Sequence, residues 1–334
     1  MVITRTPFRV SFAGGGSDLR DYYRHRPYGA VVSAAIQSYM YIVIHPYFHD
    51  KIRIKYSCTE DVDSIDDIKH PIVRAALHKV AISTGIEIAS FADVPAGTGL
   101  GSSSAFTVGL LHALYAFKGQ RVTQERLAHE ACVIEIDLLG EPIGKQDQYA
   151  TALGGINYLR FNADESVQTA PISLDRAGCE ALEQKLRLYY TGGHRSASTI
   201  LSRQKNHLAS DEKLKALDQM VQLADELRGR FHQWDLACLG DNLRQGWQLK
   251  QQLAHGIGTD HVNGMLQRAL ELGAAGGKLL GAGESGFLLI YAEEHEKIMA
   301  GLGCRSLPFR IDREGTRLMT PFTTAFQSNF LGRR

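Results

Sequence analysis

Residues 95–106 read PAGTGLGSSSAF. Gly97, Gly99 and Gly101 alternate through this stretch, Ser102, Ser103 and Ser104 follow, and apolar residues continue to Phe117. Glycine lets a backbone take positive φ and pass close to another group. The amides that open a helix are unsatisfied donors at the positive end of its dipole. A β-branched run at 86–91 comes before the stretch, so the expected unit is strand, anion-holding loop and helix over 102–117. Pro95, Gly97, Gly99, Leu100, Gly101, Ser102, Ser103 and Ser104 are the expected phosphate-binding residues. The loop is not of the Walker type, since no Gly-Lys-Ser or Gly-Lys-Thr follows, and it lacks the third glycine offset of the dinucleotide fingerprint.

Upstream of this loop, short β-branched and aromatic runs at 8–12, 39–44 and 51–56 predict a strand-rich opening, and helical spacing predicts a helix over 71–85. Downstream, Thr123 is the expected N-cap of a helix running to about Leu139, ended by Gly140 and Pro142. A strand is predicted at 154–161, with a polar connection at 165–179. A domain boundary near residue 180 divides the chain into 1–180 and 181–334. The second part reads as α-rich, with Leu214, Leu217, Val221 and Ala224 at helical spacing and further helices at 234–253 and 261–272. Strands return at 286–291 and 306–311. Mixed runs of this kind predict an α+β architecture.

The chain has 334 residues, of which 44% are hydrophobic and 22% charged, as expected of a packed globular protein. Lys and Arg number 37 against 36 Asp and Glu, so the basic footprint of a nucleic-acid binder is absent. The apolar run 30–44 is interrupted by Ser33, Gln37 and Ser38 and falls short of the roughly 20 residues that span a bilayer. No membrane partner is expected. Five cysteines without a C-x-x-C pair argue against a disulfide framework or a cysteine zinc site, and the opening MVITRTPFRV does not read as a secretory signal. A cytoplasmic location is expected. Neither H-E-x-x-H nor G-x-S-x-G occurs, which argues against zinc and serine-hydrolase chemistry.

Two further glycine motifs flank the loop: RTPFRVSFAGGGSDL at 5–19 and KLLGAGESGF at 278–287. In this order the three resemble the motifs of the GHMP kinases, the family that includes galactokinase, homoserine kinase and mevalonate kinase. Within it, AGGGSDL, GEPIGKQDQYA at 140–150 and TGGHRSAS at 191–198 resemble the bacterial kinases of a mannoheptose 7-phosphate. The resemblance implies a two-domain α+β fold. Its N-terminal domain would be like the second domain of ribosomal protein S5, and its C-terminal domain ferredoxin-like with added helices. It also implies an active site between the domains, with ATP and Mg2+ as cofactors and a sugar phosphate as the small-molecule partner. A homodimer is left open. One departure is Glu284 and Ser285, where relatives carry glycine, so that loop is assigned no direct phosphate role.

Carried over residue by residue, the resemblance assigns roles to several side chains. Asp147 follows a bend at Pro142 and Gly144 as the sole charge in 146–155. It matches the family aspartate that activates the substrate hydroxyl, which needs a carboxylate within hydrogen-bond reach. Glu135 matches the magnesium ligand, with Ser103 as its loop partner and Ser104 as the alternative; magnesium favours such oxygen donors. Arg9 matches a basic residue beside the transferred phosphoryl group. Asp18, with Gly14, Gly15, Gly16 and Ser17, matches the sugar-binding segment. Arg195, or the cluster Arg20, Arg24 and Arg26, is expected to hold the phosphate that the sugar carries. The implied reaction is transfer of the ATP γ-phosphoryl group to the anomeric hydroxyl of that sugar phosphate. The alternatives are another GHMP sugar kinase, acting on unphosphorylated fucose, galactose or an N-acetylhexosamine, and a non-catalytic ATP and sugar sensor.

Overall fold

The run at 30–44 that is too short to span a bilayer belongs to a single long strand, β2 (Gly29–Pro46), at the centre of the first sheet. Residues 29–36 are buried without interruption, which is why this segment lacks the alternation of a half-exposed strand. β1 (Val2–Ala13) runs antiparallel to β2 along most of its length. The other edge of β2 is shared between β6 (Ile156–Phe161), on its first part, and β5 (Ile86–Ala92), on its second. β3 (Ile52–Lys55) lies parallel to β5 and pairs with β4 (Thr59–Val62), while β7 (Val167–Pro171) pairs with β6. The computed structural model describes residues 1–192, 211–254, 256–281, 283 and 285–319.

The helix after the glycine loop, α3 (Ser102–Phe117), is buried almost all round and packs on β1 and β2. Its contact with β1 is so close that a Cβ on Gly109 would lie 2.8 Å from Thr6 Oγ1. Two smaller helices precede it, α1 (Arg20–Tyr23) and α2 (Pro71–Val80), the latter ending several residues before the predicted limit at left-handed Ala81. Thr123 caps α4 (Gln124–Cys132) by accepting from the Arg126 amide at 3.2 Å. The helix predicted to continue to Leu139 instead widens into π-type turns over Val133–Leu138. The region expected to be a polar connection contains β7 and the start of α6 (Arg176–Lys185), capped by Asp175.

β8 (Leu186–Tyr190) opens a second, antiparallel sheet of order β11-β8-β10-β9, built with β9 (Ala274–Leu279), β10 (Phe287–Ala292) and β11 (Ser306–Pro308). The helices of this part are α7 (Asp211–His232), α8 (Leu239–Gln251), α9 (Asp260–Glu271) and α10 (Glu296–Leu302). Residues 234–253, read as one helix, begin with Trp234 at φ 64 and become helical only at Leu239. Beyond β11 the chain returns to the first sheet. Ile311 bridges to Ile36, and β12 (Arg317–Leu318) pairs with β1. Among the described residues no helix is long and apolar enough to cross a membrane.

Candidate active site

A cleft of about 1,120 Å³ is lined by residues of both parts, among them Arg9, Ser103 and Asp147 from the first and Lys250, Lys278 and Gly281 from the second. The glycine loop forms one of its walls. Gly101 occupies the N-cap of α3 with φ 74 and no side-chain cap, so the first amides of the helix remain available to an anion in the cleft. A Cβ on Gly101 would lie 3.1 Å from Arg9 Cγ and 3.3 Å from Asp147 Oδ2. Gly99, at φ 81, has a different neighbour: a Cβ there would lie 2.6 Å from the Leu280 carbonyl oxygen. The third glycine motif therefore packs backbone against backbone on the glycine loop. Pro95, Gly97, Ser102 and Ser104 also line the cleft, whereas Leu100 is fully buried and contributes its carbonyl to the Arg9 amide at 3.0 Å.

Arg9, on β1, is 5% exposed and joins three segments. Its Nε and Nη2 donate to Oδ1 and Oδ2 of Asp147, each at 2.6 Å, and its Nη1 donates to the Gly99 carbonyl at 2.6 Å. This two-pronged pairing fixes the plane of the carboxylate. Asp147 lies in the first turn of α5 (Gln146–Leu153), a helix hidden from the sequence reading, where the helix dipole favours a carboxylate. Gln146 holds the pair in place, donating to Asp147 Oδ1 at 3.2 Å and accepting from Ser11 Oγ at 3.0 Å.

Asp18 accepts from the Gly16 amide at 2.9 Å and the Gln146 amide at 3.2 Å, which ties the AGGGSDL segment to the start of α5. Burial and the nearby Asp147 charge raise its carboxyl above the ordinary aspartate value. A Cβ on Gly144 would run into the Asp18 carboxylate, so the bend before α5 requires glycine. Gly15 and Gly16 line the cleft, but Gly14 and Ser17 do not. The Ser17 hydroxyl is used internally, donating to the carbonyls of Gly14 and Ala30.

Glu135 projects from the widened turn after α4, an irregularity often found at functional sites. It is 1% exposed; Oε1 accepts from Ser103 Oγ at 2.9 Å and Oε2 from Gln148 Nε2 at 2.7 Å. Burial pushes its carboxyl up to about 7, against the opposing hydrogen bonds from Gln148, Ser103 and Ser104. Ser103 and Ser104 thus both reach it. The Gln148 Oε1 atom is buried without a partner among the described residues. Ser103 Oγ and the Glu135 carboxylate, which both line the cleft, are hard oxygen donors of the kind magnesium takes, so the residues present fit that ion. Gln148 carries little signal in the sequence, being one polar residue in the uncharged run after Asp147.

The expected phosphate-binding arginines are arranged differently. Arg20 pairs with Asp137 and Glu165, Arg24 with Glu165 and Arg26 with Asp218, and none of the three lines the cleft. Arg195 and Glu284 lie outside the described residues. Lys250 and Lys278, which the sequence reading passed over, do line the cleft.

A helix N-terminus with uncapped amides, a fixed carboxylate and a buried arginine lie on one cleft, an arrangement that suits phosphoryl transfer. Residues 69–155 match the model of the GHMP kinases N terminal domain, and residues 209–307 that of the GHMP kinases C terminal domain. The chain belongs to the GHMP kinases, with their two-domain fold of mixed sheets and helices. It is 28% identical over 309 residues to a D-glycero-alpha-D-manno-heptose 7-phosphate kinase of Campylobacter jejuni, covering 88% of this chain and 90% of that one. A crystal structure of a putative sugar kinase from Campylobacter jejuni superposes with a TM-score of 0.77 at 25% identity, over 95% of this chain and 97% of that one. The structure of a D-glycero-D-manno-heptose 1-phosphate kinase from Bacteroides thetaiotaomicron, 24% identical, shares the fold with a TM-score of 0.78 over 97% of this chain and 100% of that one.

Proposed function

We propose that this kinase transfers the γ-phosphoryl group of ATP to the anomeric hydroxyl of D-glycero-D-manno-heptose 7-phosphate, giving the 1,7-bisphosphate used to make nucleotide-activated heptose for surface polysaccharide. The observation that carries this reading is the meeting of Gly101, at the head of α3, with the Arg9–Asp147 pair. In this reading the donor's phosphates and the acceptor's hydroxyl meet at that contact. The named Campylobacter relative supports the choice of sugar.

In this reading the loop amides and the N-terminus of α3 hold the phosphates of ATP. Asp147 accepts the proton of the attacking hydroxyl at one carboxylate oxygen, while Arg9 keeps the carboxylate turned toward the cleft. In the same reading the Arg9 guanidinium offsets charge on the transferred group. Asp18, with Gly15 and Gly16, orients the sugar hydroxyls. Ser103 and Glu135 hold Mg2+, which when bound supplies charge neutralisation to the phosphates. We place the activity in the cytoplasm, in keeping with five free cysteines.

A second reading, a GHMP kinase for an unphosphorylated sugar, is favoured by one observation: the arginines at 20, 24 and 26 are paired with carboxylates away from the cleft. A coupled ADP-release assay across sugars with and without a terminal phosphate separates the two. Highest kcat/KM on the heptose 7-phosphate is expected. Equal or better turnover of the dephosphorylated sugar would overturn the assignment.

A further inference from the structure

Lys250 is the second-last residue of α8, and its Nζ donates to the carbonyls of Leu279, at 3.4 Å, and Gly281. Lys278, on β9, is 3% exposed and donates to the Phe12 carbonyl at 3.3 Å. Both line the cleft, and among the described residues neither forms an ion pair. The contrast with the buried cations of the first part is sharp: Arg9 has Asp147, and Lys145 has Glu165, each at 2.6 Å.

We propose that Lys250 and Lys278 form a binding site for a phosphate oxyanion on the wall of the cleft that the second part of the chain supplies. Both ammonium groups donate to carbonyls, and Lys250 also lies 6.0 Å from the Trp247 ring centre, but among the described residues neither is bonded to a carboxylate, the partner that burial of an ion demands. Burial and the neighbouring Arg9 charge pull Lys250 down to about 8 against the opposing charges of Asp147 and Asp18, and burial, Lys250 and Arg9 pull Lys278 well below the ordinary lysine value. A multiply charged phosphate between them reverses both effects, and lysine binds it as a point charge. A neutral sugar does not.

The position narrows the source of that phosphate to two. The carbonyls that anchor Lys250 belong to the segment packed on Gly99, which puts the site next to the glycine loop proposed to hold the donor's phosphates. Leu253, just beyond Lys250, lies 3.6 Å from where a Cβ on Gly16 would sit, which puts the same wall next to the acceptor's floor. The oxyanion is therefore the γ-phosphoryl group or the phosphate carried by the acceptor. The second source rests on the heptose phosphate reading above; the first needs only an ATP-dependent kinase.

Calorimetry on the full chain tests this with four probes: ATP, ADP, D-glycero-D-manno-heptose 7-phosphate and the dephosphorylated heptose. Lys250→Met and Lys278→Met should each weaken one phosphate probe by roughly 10- to 100-fold, the loss expected for a charged hydrogen bond. Weakened ATP with unchanged ADP assigns the γ-phosphoryl group. A weakened sugar phosphate with an unchanged dephosphorylated sugar assigns the acceptor. Lys250→Arg should recover most of the affinity, which a merely structural peg would not require. If both Met variants fold and bind ATP, ADP and the sugar phosphate within twofold of wild type, the site is refuted. Failure of the wild type to bind the heptose phosphate refutes the heptose reading instead and leaves the ATP and ADP comparison decisive. Should a variant not fold, the wild type decides: reductive methylation of Lys250 and Lys278 should slow when ATP or the sugar phosphate is present, and no slowing with either overturns the proposal.

Discussion

The two walls of the cleft handle charge in opposite ways. On the wall from the first part, each buried ionic group among the proposed catalytic residues already has protein partners: Arg9 with Asp147, Glu135 with Ser103 and Gln148, Asp18 with two backbone amides. On the wall from the second part, Lys250 and Lys278 hydrogen-bond to carbonyls, with the Trp247 ring beside Lys250, and neither is paired with a carboxylate among the described residues. Paired groups are held rigidly and need no ligand to stay in place, while unpaired ones gain most when a ligand arrives. The first wall is thus preorganised, and the second is completed by what it binds.

The comparison breaks most severely at Asp147. Asp147→Asn keeps size and one acceptor but cannot take up a proton, so kcat should fall by roughly 10² to 10⁴ with ATP and sugar binding retained. Steady-state kinetics with calorimetry decides it; a raised KM with near-normal kcat would make Asp147 a substrate-holding group. Next comes Glu135→Gln, which should weaken magnesium activation by roughly 10- to 100-fold, with Ser103→Ala acting in the same direction. Because burial holds the Glu135 carboxyl at about 7, protons compete with the cation below that pH. Apparent magnesium affinity in wild type should fall as pH drops through 7, and the dependence should vanish in Glu135→Gln. Magnesium titrations at pH 6 and 8 measure this.

Much of the first wall was legible because short local patterns carry it. The alternating glycines before an apolar run mark the turn into α3, and Thr123 caps α4 by a bond to the third residue on. Other features depend on partners distant in sequence. Lys250 sits in QLKQQ, which reads as a solvated helix face until the segment after β9 covers it. β12 is two residues long and acquires meaning only by pairing with β1. The widening at Val133–Leu138 has no local marker, since its residues continue the helical pattern of α4. α5 was obscured by weak amphipathicity: both Gln146 and Gln148 are buried polar residues serving the site rather than an apolar stripe.

A smaller effect sharpens the comparison at the seam between the walls. Gly99→Ala places a side chain at φ 81 with its Cβ 2.6 Å from a backbone oxygen that cannot swing away. The glycine loop and the Leu280 segment must separate, at a cost of about 1–3 kcal/mol. Urea unfolding should show the loss, and KM for ATP should rise. Unchanged stability and KM would mean that the two loops are not mechanically joined.

The smallest effects test the distinction between paired and unpaired charge directly. Glu165 receives Lys145, Tyr23 and Arg24 in one cluster beside the start of α5. Burial alone would raise its carboxyl, but these hydrogen bonds and the Lys145 charge outweigh it and bring the group down to about 2. A carboxyl lowered on folding stabilises the protein above its unfolded value, and that contribution is lost as pH falls toward the folded one. Glu165→Gln should therefore cost about 1 kcal/mol at pH 7, discounted for a group still in contact with water. The difference from wild type should shrink once pH drops below about 4.5, near the ordinary glutamate value. Lys278→Met should act with the opposite sign. It removes a buried ammonium that has no carboxylate, so the ligand-free protein should gain about 1 kcal/mol at pH 7. Urea unfolding of both variants at pH 7 and pH 3.5 measures the contrast. A loss of stability on Lys278→Met equal to that of Glu165→Gln would show that the Phe12 carbonyl alone compensates the ammonium, and the two walls would then not differ in kind.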